Sequence, residues 1–220
     1  MIQPKSLNTS LLLYNTITQK EWTRKLLNCS RKMLKLLKKC LESEKKDNAI
    51  FDIVVYGSLV KGKTTARDVD IAVIFLEGTL RERLDKIQNI KNKIKPKISQ
   101  ELDIKQLLLK DLFSSDFLAR TGILLEGESI FKGRKFCETL GFRAFSLFWY
   151  DLKGLTHARK VKFNYILAGR SGFKGIIRHL EGERLASGAV KMPMQNSIEF
   201  EDVLKANEVN YKKKDILEAT

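Results

Sequence analysis

The segment from Val54 to Phe75 constrains this chain more than any other. Two apolar, largely β-branched runs, Phe51 to Tyr56 and Val69 to Leu76, flank a short polar loop that begins Gly57-Ser58 and ends Asp68-Val69-Asp70. Runs of this length bounded by glycine and charged residues read as strands. Side chains alternate faces along a strand, so Asp68 and Asp70 point one way while Val69 and Ile71 point into a core. Two carboxylates on one side repel, and one of them holds its proton unless a divalent cation removes the conflict.

Leu102-Asp103-Ile104 repeats the device inside a third expected strand, Glu101 to Leu109. If that strand pairs with the second, three carboxylates meet at one spot, a number that suits two Mg²⁺ ions. A rival reading starts from Gly57 to Thr64, which fits the phosphate-binding loop G-x-x-x-x-G-K-[ST]. Such a loop must open directly into a helix whose N-terminus faces the phosphates. Here Thr64 leads instead to Arg67-Asp68-Val69-Asp70 and the run Ile71 to Ile74, a strand pattern.

A strand before Gly-Ser, an Asp-x-Asp opening the next strand and an acidic residue on a later strand together resemble the polymerase-β-like nucleotidyltransferase superfamily, closest to its minimal members. The resemblance covers roughly residues 49 to 132. It implies Mg²⁺-dependent transfer of a nucleoside monophosphate from an NTP, with ATP or CTP the expected donors, and with Mn²⁺ able to substitute. By resemblance, Asp68 and Asp70 bridge two metals and the triphosphate, while Asp103 holds the catalytic metal and helps deprotonate the acceptor. Gly57 and Ser58 belong to the turn that phosphate approaches, and Lys61, Lys63 and Arg67 in the same loop are candidates for its β- and γ-phosphates. Minimal members often have one residue more between the serine and the first aspartate, and an arginine where this chain has Lys61.

The remaining pattern organises around this centre. Trp22, Leu26, Met33, Leu37 and Leu41 recur at helical spacing, which predicts an amphipathic helix from about Lys20 to Leu41 with Arg24, Arg31, Lys32, Lys35, Lys38 and Lys39 on its other face. Thr79 is the expected N-cap of a helix carrying Leu80, Leu84, Ile87 and Ile94 and stopping before Pro96. A helix over 111–125 and a short strand from Glu128 to Phe131 follow. From Phe136 the spacing of Phe142, Phe145, Phe148, Trp149 and Leu152 reads as an aromatic-rich helix that packs a core, with Tyr150 a candidate for stacking on a base. Helices over 156–168 and 172–181, a strand from Gly188 to Met194, a helix over 197–206 and a strand from Tyr211 to Leu217 complete the chain. The expected fold is α/β (α+β), a small mixed sheet flanked by helices. Its expected parts are an N-terminal helical extension over 1–48, a nucleotidyltransferase core over 49–135 and a helical or winged-helix-like subdomain over 136–220.

Charge directs attention to a polyanion. Lys and Arg number 41 against 26 Asp and Glu, a net +15 in 220 residues, and the excess is spread over all three parts. Phosphate neutralisation by such residues supplies most sequence-independent affinity for nucleic acid, so RNA is the favoured acceptor. Arg159, Lys160, Lys162, Arg170, Lys174 and Arg178 form a second basic series that phosphate or plain solvent could face. A protein or a small molecule as acceptor, or a non-catalytic nucleic-acid binder keeping the fold, are the alternatives. Cys29, Cys40 and Cys137 lack Cys-x-x-Cys spacing, and the first two lie about 16 Å apart on one predicted helix, so all three are expected as reduced thiols. His157 and His179 stand without neighbouring ligands and are expected at the surface or in structural roles. No run reaches the ~18 apolar residues of a membrane span and no secretory signal opens the chain, which makes the cytoplasm the expected location and a membrane partner unexpected.

Overall fold

The computed structural model describes residues 31–61, 68–170 and 173–220, which divide into two compact units. Described residues up to Phe117, with Glu128–Gly133, form the first; Leu118–Gly127 and Arg134–Thr220 form the second. The chain thus enters the second unit at Leu118, returns to the first for six residues and leaves again, a path that the expected boundary at residue 135 does not follow.

In the first unit, strands β1 (Ile50–Tyr56), β2 (Asp68–Phe75), β3 (Glu101–Leu108) and β4 (Glu128–Ser129) make a mixed sheet in the order β3-β2-β1-β4. β1 runs antiparallel to β2 and β4, and β2 runs parallel to β3. Parallel neighbours need a crossover, which α2 (Leu80–Ile94) provides. Its start is set by Thr79, whose hydroxyl accepts from the Glu82 amide while the Glu82 carboxylate accepts from the Thr79 amide, a reciprocal cap. Pro96 stands in the 3₁₀ turn Lys95–Lys97 that ends it. Ile53, Val55, Val69, Ile71, Val73 and Phe75 from one face of the sheet meet Ile90 and Ile94 of α2. Leu37, Cys40 and Leu41, from the helix α1 described over residues 31–40 and its exit, join the same core, while Lys35, Lys38 and Lys39 are exposed. The apolar stripe of α1 therefore packs on its own unit; the stretch from Lys20 to Ser30, with Trp22 and Cys29, lies outside the described residues. Behind the sheet, buried Asp52 accepts from Ser129 Oγ at 2.6 Å and from the Ile53 amide at 2.7 Å, which fastens β4 to β1. Burial raises the Asp52 pKa, and these hydrogen bonds oppose the rise.

The second unit corrects the expectation of a helical subdomain. It begins with α3 (Arg120–Glu126), the only α-helical part of the expected 111–125 helix, which is preceded by the 3₁₀ turn Leu109–Phe113 in the first unit. After α4 (Phe136–Thr139) comes β5 (Phe142–Asp151), and this aromatic run is a strand rather than a helix. Then follow α5 (His157–Ala168), the two-residue strands β6 (Gly169–Arg170) and β7 (Phe173–Lys174), and α6 (Ile176–His179). The helix expected over 172–181 shrinks to a single turn, so the pair of helices expected over 156–181 is not formed. β8 (Glu183–Ala186), β9 (Ala189–Pro193), α7 (Ser197–Ala206) and β10 (Asn210–Ala219) close the unit.

The sheet β10-β5-β9-β8 is antiparallel throughout, and β5 pairs with β10 along its whole length from Phe142↔Ala219 to Asp151↔Asn210. Ser146, Phe148 and Tyr150 face a core with Phe163 and Leu167 of α5, Val190 and Met192 of β9, and Phe200 and Leu204 of α7. Phe145, Leu147 and Trp149 take the other face. Both rows being mostly apolar, the period of two that marks a strand is invisible in the sequence, and the spacing of the phenylalanines imitates a helix. Tyr150 is 8% exposed and buried with the core; the exposed aromatic of this run is Trp149, at 45%. Cys40 and Cys137 are buried free thiols, in different units. His157 and His179 are exposed. No helix among the described residues is long and apolar enough to cross a membrane.

Candidate active site

Register decides where the acidic residues meet. Tyr56 of β1 stands opposite Asp70 of β2, Asp70 stands opposite Asp103 of β3, and Asp68 stands opposite Glu101. Directly opposed residues on neighbouring strands, about 4.8 Å apart, present their side chains to the same face. Asp68, Asp70 and Asp103 therefore share the face opposite the core that Val69, Ile71 and the partly buried Leu102 and Ile104 line. The alternation anticipated for both strands is realised: Asp68 and Asp103 are exposed, and Asp70 is half-buried between exposed Asp68 and fully buried Ile71.

Asp70 is the electrostatic centre. Its pKa is raised first by burial and then by the charges of Asp68 and Asp103, with Lys105 opposing. Mutual influence of this kind is the signature of carboxylates crowded on one face. The Asp70 carboxylate also rests against the turn after β1. Gly57 has φ +75°, and a Cβ built there would stand 2.1 Å from Asp70 Oδ2. Glycine is thus required twice at this position, for its backbone angle and for the space that the carboxylate occupies. The turn is held by the Lys61 amide donating to Gly57 O at 3.3 Å and by Leu59, which is buried in the core.

Two hydroxyls complete the end of β1. Tyr56 Oη and Ser58 Oγ are buried and have no hydrogen-bond partner among the described residues. Buried hydroxyls are ordinarily hydrogen-bonded, so this pair flanking Gly57 leaves two donors available beside Asp70. The Tyr56 pKa is pushed up to about 12 by burial and by Asp70 and Asp103, which keeps its hydroxyl a neutral donor. Oxygen donors alone are what a hard divalent cation takes, so the residue types fit Mg²⁺. Among the described residues, however, no three potential ligands stand close enough to enclose an ion as the side chains are placed. Asp103 leans toward Lys105 Nζ at 3.8 Å, with half of its side chain exposed.

Lys61 closes the turn and is exposed; Lys63 and Arg67 lie outside the described residues. From Asp68 the described chain is strand β2, where a phosphate-binding loop of the G-x-x-x-x-G-K-[ST] type would be followed by a helix. Three neighbours escaped the sequence reading. Glu101 lies on the same face by the i, i+2 rule already applied to Asp103, and Lys105 lies two residues further on. Tyr56 looks in the sequence like any strand residue, and only the register brings it opposite Asp70.

A family model described as polymerase beta, nucleotidyltransferase, matches residues 37–132. Residues 37–132 form a polymerase-β-like nucleotidyltransferase domain. The match begins within α1 at Leu37, the first fully buried residue among those described in that helix, and runs through β4, so it spans the sheet and core of the first unit. The nucleotidyltransferase domain implies nucleotidyl transfer with an NTP as substrate, and domains of this family typically use divalent metals. No curated protein matches the chain.

Proposed function

We propose that the chain transfers a nucleoside monophosphate from an NTP, ATP or CTP, to an acceptor hydroxyl on RNA, with two divalent ions held by Asp68, Asp70 and Asp103. The observation that carries this reading is the alignment of Asp70 with Asp103 across β2 and β3, with Asp68 on the same face and the Gly57-Ser58 turn against Asp70. Bound Mg²⁺, for which Mn²⁺ substitutes, supplies a lowered pKa for the attacking hydroxyl and charge stabilisation at phosphorus. The chain's own residues do the rest. Ser58 Oγ donates to a phosphate oxygen, and Gly57 lets the phosphate approach the backbone. Lys61, Lys63 and Arg67 balance charge on the β- and γ-phosphates. Asp103 accepts the proton of the acceptor hydroxyl, whose oxygen forms the new bond to the α-phosphorus as the bond to pyrophosphate breaks. The net +15 supports a polyanionic acceptor. The same reading places the reaction in the cytoplasm.

Incubation with each α-³²P-labelled NTP, Mg²⁺ and separate pools of total RNA, purified tRNA and protein extract tests the proposal. Label should enter an RNA pool with wild type and not with folded Asp68→Ala or Asp70→Ala. Label entering protein alone would reassign the acceptor, and label undiminished in both variants would refute the assignment of the site.

A further inference from the structure

The sheet of the second unit has one covered face and one open face. An antiparallel sheet of this kind ordinarily turns polar residues to solvent. Here the strand next to the edge, β5, turns Phe145, Leu147 and Trp149 outward, and Trp149 is 45% exposed. Strand β10 lies beside this row and sets Lys212 opposite Trp149 and Lys214 opposite Leu147. The lysine between them is used differently: Lys213 points to the covered face, where it pairs with Glu201 at 3.4 Å and lies 5.7 Å from the Phe148 ring centre. Lys212 and Lys214 have no ion-pair partner among the described residues. On the far side of the row, Lys191 lies over the Phe145 ring at 4.9 Å and is tied to Glu183 and Glu218, so that end is already neutralised.

From this arrangement we propose that the open face of the β10-β5-β9-β8 sheet is a stacking platform for single-stranded nucleic acid, with Trp149 as the base-stacking anchor and Lys212 and Lys214 as phosphate contacts. An exposed tryptophan beside half-buried Phe145 and Leu147 on one sheet face marks an interaction surface. The chemistry of the row and its flank selects the occupant. Unstacked bases offer flat π-faces to Trp149, and their phosphates reach cations on the neighbouring strand. A duplex keeps its bases stacked on one another and has none to give. A second copy of the chain would bring its own unpaired Lys212 and Lys214 to an interface where like charges oppose docking. The strand's identity as RNA rests on the reaction proposed above; the platform itself does not require it.

The test is fluorescence anisotropy of the full chain with fluorescein-labelled 12-nucleotide oligo(rU) and oligo(rA), and with an RNA duplex of equal length, all without NTP. Trp149→Ala should weaken single-strand binding about tenfold, with Trp149→Phe restoring most of it. Lys212→Ala combined with Lys214→Ala should lower the slope of log K against log salt by about 1.4. Should Trp149→Ala fail to fold, the Phe and lysine variants decide alone. Wild-type affinity in Trp149→Ala, equal affinity for the duplex, or a dimer in sedimentation that Trp149→Ala dissolves would each overturn the platform. Strand binding that depends on Trp149, without any label transfer, would leave the platform standing and remove the proposed reaction.

Discussion

Replacing Gly57 by alanine separates backbone strain from damage to the site. At φ +75° an alanine occupies the left-handed region, which costs about 1–2 kcal/mol. Its Cβ would also stand 2.1 Å from Asp70 Oδ2 and 3.0 Å from Asp70 Cγ, so the carboxylate must rotate away. Asp70 sits at the centre of the carboxylate group, and a misplacement on the order of 1 Å in a reacting constellation costs about 10²-fold in rate. Gly141→Ala provides the control, because its φ of +80° carries the same backbone penalty and its Cβ would meet nothing within 4 Å. Urea denaturation and α-³²P transfer assays on both variants are the measurements. Both should lose about 1–2 kcal/mol of stability, and only Gly57→Ala should lose transfer, by about 10²-fold or more. Equal transfer rates in the two variants would refute the argument that Gly57 exists to seat Asp70.

Four further outcomes are expected. Asp70→Asn, measured in the presence of a chelator, should raise Tm near neutral pH. A carboxyl whose folded pKa is raised contributes stability that is lost as pH climbs through that pKa, and the amide has no charge to lose; a lower Tm would contradict it. Glu201 has the opposite sign. Burial pushes its pKa up but is outweighed by hydrogen bonds from Lys205 and Tyr211 and the charge of Lys213, leaving it at about 2. Glu201→Gln should therefore destabilise the protein by about 1–2 kcal/mol at neutral pH, after allowance for solvent screening, with the difference shrinking as pH falls from about 4.5 toward 2. Phe148→Ala should cost about 3–5 kcal/mol in denaturant titrations, because the ring is fully buried 5.0 Å from Phe200. Thr79→Ala, read the same way, should cost about 1 kcal/mol through loss of the α2 cap.

The shared face of the acidic residues was legible because its signals are local. Asp68-Val69-Asp70 and Leu102-Asp103-Ile104 alternate polar and apolar residues at a period that only one face of a strand explains, and Gly57-Ser58 marks the turn between two short runs. Tyr56 and Glu101 were missed because their part depends on register, which pairing between distant segments sets. The second unit misled for a different reason. In β5 the residues facing the core and those facing solvent are both apolar, so burial leaves no pattern to read, and the helical spacing of Phe142, Phe145 and Phe148 is accidental. The short return of Glu128–Gly133 to the first unit was equally hidden, since the contacts that hold it, β4 pairing with β1, Ile130 in the core and the Ser129–Asp52 hydrogen bond, join residues about 77 positions apart.

If carboxylates on β2 and β3 gather divalent ions beside the nucleotide, Mn²⁺ titration followed by electron paramagnetic resonance will count them. With a non-hydrolysable NTP present, wild type should bind two Mn²⁺ beyond those the nucleotide holds free in solution, and folded Asp70→Asn and Asp103→Asn should each lose that binding. Mn²⁺ affinity and stoichiometry unchanged in both variants would contradict the account.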